Sequence, residues 1–427
     1  MADEPVTHDE DPVPDEPVTQ VPDEPVAQDK DPVADEPAES APKPRGRAKR
    51  AAWIAARVVV ALASAAALAA AGLARNTVNT VNENTNTSDV LSPEVQKNAP
   101  PAEDGAEDIL IVGSDTRTDA KGNPLPASVL RELRTEAADG VNTDTIILLR
   151  LPKNGAKGYA ISIPRDTYVS IPGYRDDKIN AAYGATKYLK AQQMTADGVK
   201  DRGQIERESD RVGRSALAQA VQNLTGVRVD HYAEVNLYGF YLLTEAVGGV
   251  TVCLNHSTSD PNSGANFRKG VQTIRGGAAL SFVRQRDGLP RGDLDRIVRQ
   301  QVFLSAAMQQ VLTAGTLTDP GKLSRLTDAA AKSVVVDPGL DLLTLARQLS
   351  AMSTGQVDFT TIPVKEVGAR NERGQSIITV DVPAVKTFVA QLLGRQPSNF
   401  ASNGPLRLNG EQPQQQPNII DGVRCVD

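Results

Sequence analysis

Four short segments place aspartates, arginines and their hydrogen-bonding companions where strands or helices begin and end. Gly113-Ser114-Asp115-Thr116-Arg117 follows an apolar run, and Asn142-Thr143-Asp144-Thr145 precedes another. If those strands are neighbours, Asp115 and Asp144 can share a hard cation such as Mg²⁺, or Mn²⁺, that keeps positions for phosphate oxygens and water. Ordinary turn chemistry, which also favours Asp, is the alternative for either motif taken singly. Ile163-Pro164-Arg165-Asp166-Thr167 closes a third run, and Lys178-Ile179-Asn180 opens a helix. The densest segment is Phe282-Val283-Arg284-Gln285-Arg286, followed by Gly292 to Gln301. On a helix Asp293, Arg296 and Gln300 share a face, with Arg299 one residue off it. Asp293 can also cap the helix start. Several guanidinium groups around one point suit a pyrophosphate, because each donates paired hydrogen bonds and keeps its charge. Phe282, Val283, Leu294, Ile297 and Val298 anchor the segment in a core, which argues against a merely solvated charged run.

Other chemistries lack their signatures. The three histidines, His8, His231 and His256, form no supported nucleophilic triad, and His231 at a strand start reads as structural. A phosphate-binding Gly-x-x-x-x-Gly-Lys and a strand-linked Gly-x-Gly-x-x-Gly are both missing. Cys253 and Cys425 have no metal-ligand spacing. In an oxidising compartment they permit a disulfide stapling the C-terminal tail to a central strand; two free thiols are the other reading.

The elements that must hold these residues alternate. Strand-type runs are Ile109–Val112, Thr145–Leu151, Tyr159–Ile163, Asp230–Val235, Val250–Leu254 and residues 357–363. Helical spacing marks 179–192, 211–224, 237–247, 294–313, 340–352 and 382–393. Interleaving of this kind implies a three-layer α/β/α sandwich with a central mixed sheet.

Charge is segregated along the 427 residues. Residues 1–42 carry 14 acidic groups against Lys30, and repeat Asp-Glu-Pro-Val; such a segment cannot offset its ordering entropy and reads as a disordered acidic tail. With the basic cluster 43–50 it makes up residues 1–50. Residues 51–74 hold Arg57 as their only charge, and 17 uncharged residues from Val58 to Ala74 nearly span an apolar core of ~30 Å. The basic flank places residues 1–50 in the cytoplasm and the rest outside a single-pass membrane anchor. A cleaved signal peptide is the rival, although a 50-residue lead is long for one. Residues 75–107 read as a polar linker, 108–395 as the folded domain that carries the Asp/Arg segments, and 396–427 as a tail tethered by the disulfide. Beyond Arg57 the chain holds 39 basic and 39 acidic groups, so a general nucleic-acid binder is disfavoured.

These motifs resemble the LytR-CpsA-Psr family of cell-wall glycopolymer ligases, in its actinobacterial type. The matching segments are DILIVGSDTR (108–117), NTDTIILLRL (142–151), ISIPRDTYVSIPGY (161–174), DKINAAYG (177–184), DHYAEVNLYGF (230–240), EAVGGVTVCL (245–254) and FVRQRDGLPRGDLDRIVRQQ (282–301). The resemblance implies transfer of a glycan phosphate from a polyprenyl-pyrophosphate carrier to peptidoglycan, with polyprenyl phosphate leaving. It maps metal carboxylates onto Asp115 and Asp144, and catalytic residues onto Arg165, Arg284, Arg286, Asp293 and Arg296. Arg117, Asp166, Lys178, Arg299 and Gln300 are placed around the pyrophosphate. No general base is assigned; Asp115 and Asp166 are candidates. The helices at 179–192 and 237–247 are placed as walls of a groove for the lipid tail. Polar stretches 118–141 and 185–209 depart from the family pattern. Hydrolysis of the lipid pyrophosphate and non-catalytic lipid binding are the competing functions.

Overall fold

Inside the run from Ala106 to Ser114, Ile109, Leu110, Ile111 and Val112 follow one another without a polar break, as a strand covered on both faces requires. The computed structural model describes residues 86–97, 99–101, 105–119, 123–136, 141–313, 319–351, 357–393 and 418–427. The acidic tail, the apolar segment 51–74 and residues 75–85 lie outside the described residues, as do 394–417. Among the described residues no helix is long and apolar enough to cross a membrane.

In chain order the strands are β1 (Asn86–Thr87), β2 (Ala106–Ser114), β3 (Thr143–Pro152), β4 (Gly158–Ser162), β5 (Tyr168–Ser170), β6 (Asp176–Lys178), β7 (His231–Val235), β8 (Val250–Leu254), β9 (Thr258–Asp260), β10 (Ala265–Phe267), β11 (Gly270–Ile274), β12 (Val334–Val336), β13 (Val357–Thr361), β14 (Glu366–Arg370), β15 (Ser376–Thr379), β16 (Ile419–Ile420) and β17 (Val423–Val426). The helices are α1 (Pro93–Lys97), α2 (Ala127–Glu132), α3 (Ala181–Ala196), α4 (Arg202–Thr225), α5 (Leu237–Ala246), α6 (Gly276–Arg284), α7 (Asp293–Thr313), α8 (Pro320–Ser333), α9 (Leu342–Ala351) and α10 (Val382–Leu392).

The main sheet runs β1-β12-β7-β2-β3-β4-β13 and is mixed: β2 pairs antiparallel with β3 and parallel with β7. Leu110, Val112, Ile146, Leu148 and Ile161 meet α3, α4 and α10 on one face. Ile109, Ile147, Leu149 and Ala160 meet the second layer, with Leu243 of α5, Leu304 of α7 and Leu345 of α9. Helices thus cover both faces of an α/β sheet.

Three expectations change. Residues 185–209 are not an excursion, because α3 and α4 form a helical hairpin through them. Asp201 caps α4 by accepting from the amides of Gly203 and Gln204, and Gly226 ends it at φ 72°. Gly213 lets the two helices touch, since a Cβ there would lie 2.3 Å from the Tyr183 ring. The stretch 118–141 carries α2, whose neighbourhood buries Leu125, Leu130 and Leu133 against Leu237 and Leu280. Folding also starts earlier than Asp108: β1 pairs with β12, and Val90 is fully buried in the first core. A two-residue strand leaves no periodicity to read.

His231 opens β7, with Nδ1 3.2 Å from Asp337, whose carboxylate also accepts from the amides of Tyr232 and Gly339. The hydrogen bond to Asp337 raises the imidazole pKa against the opposing effect of burial. A raised folded-state pKa contributes stability that is complete below the ordinary value of 6.5 and is lost as pH rises through the folded value. The wild-type melting temperature is therefore expected to fall as pH climbs above 6.5, and His231→Gln to flatten that slope in a calorimetric pH series.

A second sheet, β11-β8-β17-β16, packs beneath α7. Here Cys253 and Cys425, opposed in the parallel β8–β17 pair, are joined by a disulfide that closes 172 residues. Cys253 belongs to this smaller sheet, not to the central one. Cys253→Ala or Cys425→Ala is expected to lower stability by about 2–5 kcal/mol, read as a drop in melting temperature that reductant reproduces in the wild type only.

Candidate functional site

The site is built at the end of β2, β3 and β4, where their ladder opens. The register slips between Gly113 and Ser114, so Ser114 faces Thr143 and Asp115 meets Asn142. The Asp115 carboxylate accepts from Asn142 N at 2.7 Å and Asn142 Nδ2 at 3.2 Å, and Arg117 donates to the Asp115 carbonyl at 3.0 Å. Asp115 is therefore clamped in place. Two strands over, Arg165 follows β4 and reaches Asp144, Nη1 to Oδ1 2.5 Å. This contact follows from the β3–β4 register, in which Ile147 opposes Ser162.

From Arg165 the charges continue onto α7. Its Nε lies 3.7 Å from Asp293, and Arg296 Nη2 lies 2.7 Å from the same carboxylate. Asp293, at the first position of α7, thus joins two arginines from different layers. Arg284 closes α6, and Gln300 donates to the Val283 carbonyl at 3.2 Å, tying α7 to the arginine-bearing end of α6. Arg286 is exposed beyond it. Asp144, Arg165, Arg284, Arg286, Arg296 and Gln300 line a polar cavity of about 130 Å³.

Electrostatics show what this cavity lacks. Burial pulls the Arg296 guanidinium down, and Arg165 pulls it further. Burial also lowers Arg284, with Arg117 and Arg286 adding repulsion. Arg165 is lowered by burial, but Asp144, Asp293 and Asp166 outweigh that and raise it overall. All three stay cationic. Of the arginines lining the cavity, Arg165 Nε and Arg296 Nε and Nη2 are buried without a hydrogen-bond partner, and both oxygens of Asp293 lack an aligned donor. Buried polar atoms are normally paired, so unspent guanidinium donors gathered at one cavity mark a place for an anion with several acceptor oxygens.

A second cavity, about 380 Å³ and almost wholly apolar, opens behind the first. Ile111 and Ile147 form its floor, and Phe240, Leu243, Leu280 and Phe303 its walls. Asp144, Val283, Arg284 and Gln300 line both cavities, so the apolar space ends on the charged one. The helix expected at 237–247 does line it. The helix expected at 179–192 does not: α3 packs on the opposite face of the sheet, with Ala182 in the first core.

Not every expected site residue converges. Arg299 points away: it is fully buried, donates to Gln285 Oε1 at 2.7 Å and to the backbone oxygen of Asp427, and lies 5.0 Å from the Phe282 ring centre. Burial pushes its pKa down to about 10. Arg299 precedes Gln300 by one helical residue, a rotation of about 100°, which turns its side chain toward Gln285 and the end of β17 instead of the cavity. Lys178 reaches Asp166 at 3.0 Å, and these two, with Arg117 and Asp115, stand around the polar cavity without lining it. Asp115 and Asp166, the candidate bases, each hold fixed donors. Missed from the sequence were Asp260, Asn262, Ser263 and Asp287, which form another wall. The cluster Asp260-Pro261-Asn262-Ser263-Gly264 was a readable turn signal, but nothing in it pointed to the arginines.

The chain matches the model of the LytR_cpsA_psr family over residues 69–393. It is 49% identical over 293 residues to the cell wall biosynthesis protein LcpA of Corynebacterium glutamicum, covering 69% of this chain and 57% of that protein. It is 34% identical over 226 residues to the polyisoprenyl-teichoic acid–peptidoglycan teichoic acid transferase TagU of Oceanobacillus iheyensis, covering 53% of this chain and 62% of the relative. The chain thus spans less than two thirds of the length of either relative. Protein gbs0355 from Streptococcus agalactiae, a crystal structure, is alike in fold: TM-score 0.50, 20% identity, 73% of this chain and 93% of that one.

Proposed function

Since the chain belongs to the LytR_cpsA_psr family, we propose that it transfers a glycopolymer phosphate from a polyprenyl-pyrophosphate carrier to peptidoglycan. One observation carries this reading: an apolar cavity of about 380 Å³ ends on an arginine-lined polar cavity, and four residues line both. A lipid pyrophosphate has that two-part shape. Support also comes from the names of the relatives, a cell wall biosynthesis protein and a transferase acting between a polyisoprenyl-teichoic acid and peptidoglycan.

In this reading the lipid tail lies in the apolar cavity, and Arg165, Arg284 and Arg296 hold the pyrophosphate. An acceptor hydroxyl attacks the glycan-side phosphorus. Its bond to the bridging oxygen breaks, polyprenyl phosphate leaves, and the hydroxyl proton passes to solvent or a base. The arginines spend their unpaired N–H groups on oxygens whose charge grows as the bond breaks, which is where preorganised donors act most strongly. Asp293 keeps Arg165 and Arg296 facing one point.

Asp115 and Asp144 would hold Mg²⁺, or Mn²⁺. Among the described residues no group of three or more His, Cys, Asp or Glu could hold a metal ion. Two carboxylates nevertheless suit Mg²⁺, which takes few protein ligands and fills the rest with phosphate oxygens and water. When bound it would supply Lewis-acid neutralisation of the pyrophosphate. The proposal includes location: an N-terminus in the cytoplasm, a single span at 51–74 and the domain outside. The basic cluster before that segment and the Cys253–Cys425 disulfide support it.

The test uses the full chain in detergent with a polyprenyl-pyrophosphate glycan, peptidoglycan fragments and Mg²⁺. Mass spectrometry should find glycan phosphate on peptidoglycan. Glycan phosphate released to water alone would instead make the protein a hydrolase, and no turnover of the donor would end the proposal.

A further inference from the structure

A donor carrying lipid on one phosphate and glycan on the other must leave the arginine site in two directions. The apolar cavity accounts for one of them. On another wall of the polar cavity stand the turn between β9 and β10 and Asp287. Asp260 is 2% exposed and spends its carboxylate on this turn, accepting from Asn262 N and Ser263 Oγ, each at 2.8 Å, and from the backbone of Arg286. Asn262 Nδ2 then donates to Asp287 Oδ2 at 2.7 Å. The turn is fixed from outside as well: Arg134 Nη1 donates to the Gly264 carbonyl at 2.6 Å and to Ser281 Oγ at 3.1 Å, on the helix that ends in Arg284.

The chemistry of this wall differs from that of the rest of the cavity. A guanidinium only donates, whereas an amide beside a carboxylate offers N–H donors and several acceptor lone pairs at adjacent points. Adjacent ring hydroxyls, each both donor and acceptor, are matched by that pair and not by arginines alone. Asn262 and Asp287 are also exposed, so a chain continuing past its first sugar has an open way out. We propose that Asn262 and Asp287 seat the first sugar on the donor's glycan-side phosphate and so determine which glycan is accepted. The inference rests on the donor reading given above. A purely structural hydrogen bond pinning the turn is the competing explanation, and the two differ in what they do to discrimination between ligands.

The probes are polyprenyl pyrophosphate carrying one N-acetylhexosamine and the bare polyprenyl pyrophosphate. Calorimetry on the full-length protein in detergent gives the affinity ratio. The wild type is expected to favour the sugar-bearing probe about tenfold, the worth of one or two net hydrogen bonds. Asn262→Ala and Asp287→Ala should each bring that ratio toward one, with Asp287→Asn retaining part of it. Both side chains are exposed, and an unchanged melting temperature would show the fold intact. A preference that survives in both alanine variants, or is absent from the wild type, overturns the inference. Binding of both probes that is indifferent to Arg296→Ala overturns the donor reading, and this inference falls with it.

Discussion

Arg296→Ala is expected to lower kcat/KM for the lipid-linked donor by about 10²–10³-fold, the usual loss when one preorganised donor to a developing oxyanion is removed from a buried site. Arg296 is 3% exposed, yet two of its nitrogens have no hydrogen-bond partner. Holding a guanidinium in that state costs folding energy, and Arg165 adds like-charge repulsion. The variant loses the 2.7 Å Arg296–Asp293 ion pair, but Asp293 keeps Arg165 3.7 Å away as counter-charge, so it should remain folded. Arg165→Ala should cost a similar factor in rate but more in stability, because it strips Asp144 of its 2.5 Å partner. Arg296→Lys separates charge from geometry. A lysine restores the charge but not the paired donors, so only part of the rate should return. Initial rates of donor turnover, with a melting curve for each variant, decide the matter. Normal turnover in both alanine variants would show that these arginines do something other than bind the reacting pyrophosphate.

How much of this was legible in the sequence depended on element length. Strands β2 and β3 are long enough for their apolar runs to declare them, and with them the positions of Asp115 and Asp144 at their ends. The start of α7 was equally clear, because Asp293, Arg296 and Gln300 keep helical spacing next to apolar anchors. Short elements were not. Strand β12 is three valines between a helix and a turn, and only its pairing with β7 and β1 makes it a strand. The β9–β10 turn carried ordinary loop residues, and its place on the cavity wall arises from tertiary packing through Asp260 and Arg134. Arg299 fails for a different reason. Helical periodicity groups residues by face but does not say which face meets which layer, and the buried partner on its side, Gln285, comes from the segment before the helix. The apolar cavity could not be read at all, since Ile111, Phe240, Phe303 and Leu349 each look like core until the packing leaves space between them.

That space yields the second large prediction. Ala307 lies on α7 in the cavity wall, one turn from Phe303 and beside Met308. If the cavity is only a packing fault, Ala307→Trp fills it, raises stability and leaves turnover alone, because a side chain entering an existing apolar void gains burial without strain. If a lipid tail lies there, the indole displaces it. One isoprenyl unit holds five carbons, each worth about 0.8 kcal/mol when buried, so losing a single unit costs at most about 4 kcal/mol. Even half of that raises KM for the polyprenyl donor by about thirtyfold. The melting temperature is expected to hold or rise while KM climbs, a combination that damage to the fold does not produce. The effect should also depend on tail length. A donor with a tail too short to reach Ala307 loses nothing to the indole, so a series of short and long prenyl donors should show the penalty setting in with length. A KM that rises equally for all of them would place the fault at the arginines, and an unchanged KM throughout would leave the cavity without a lipid.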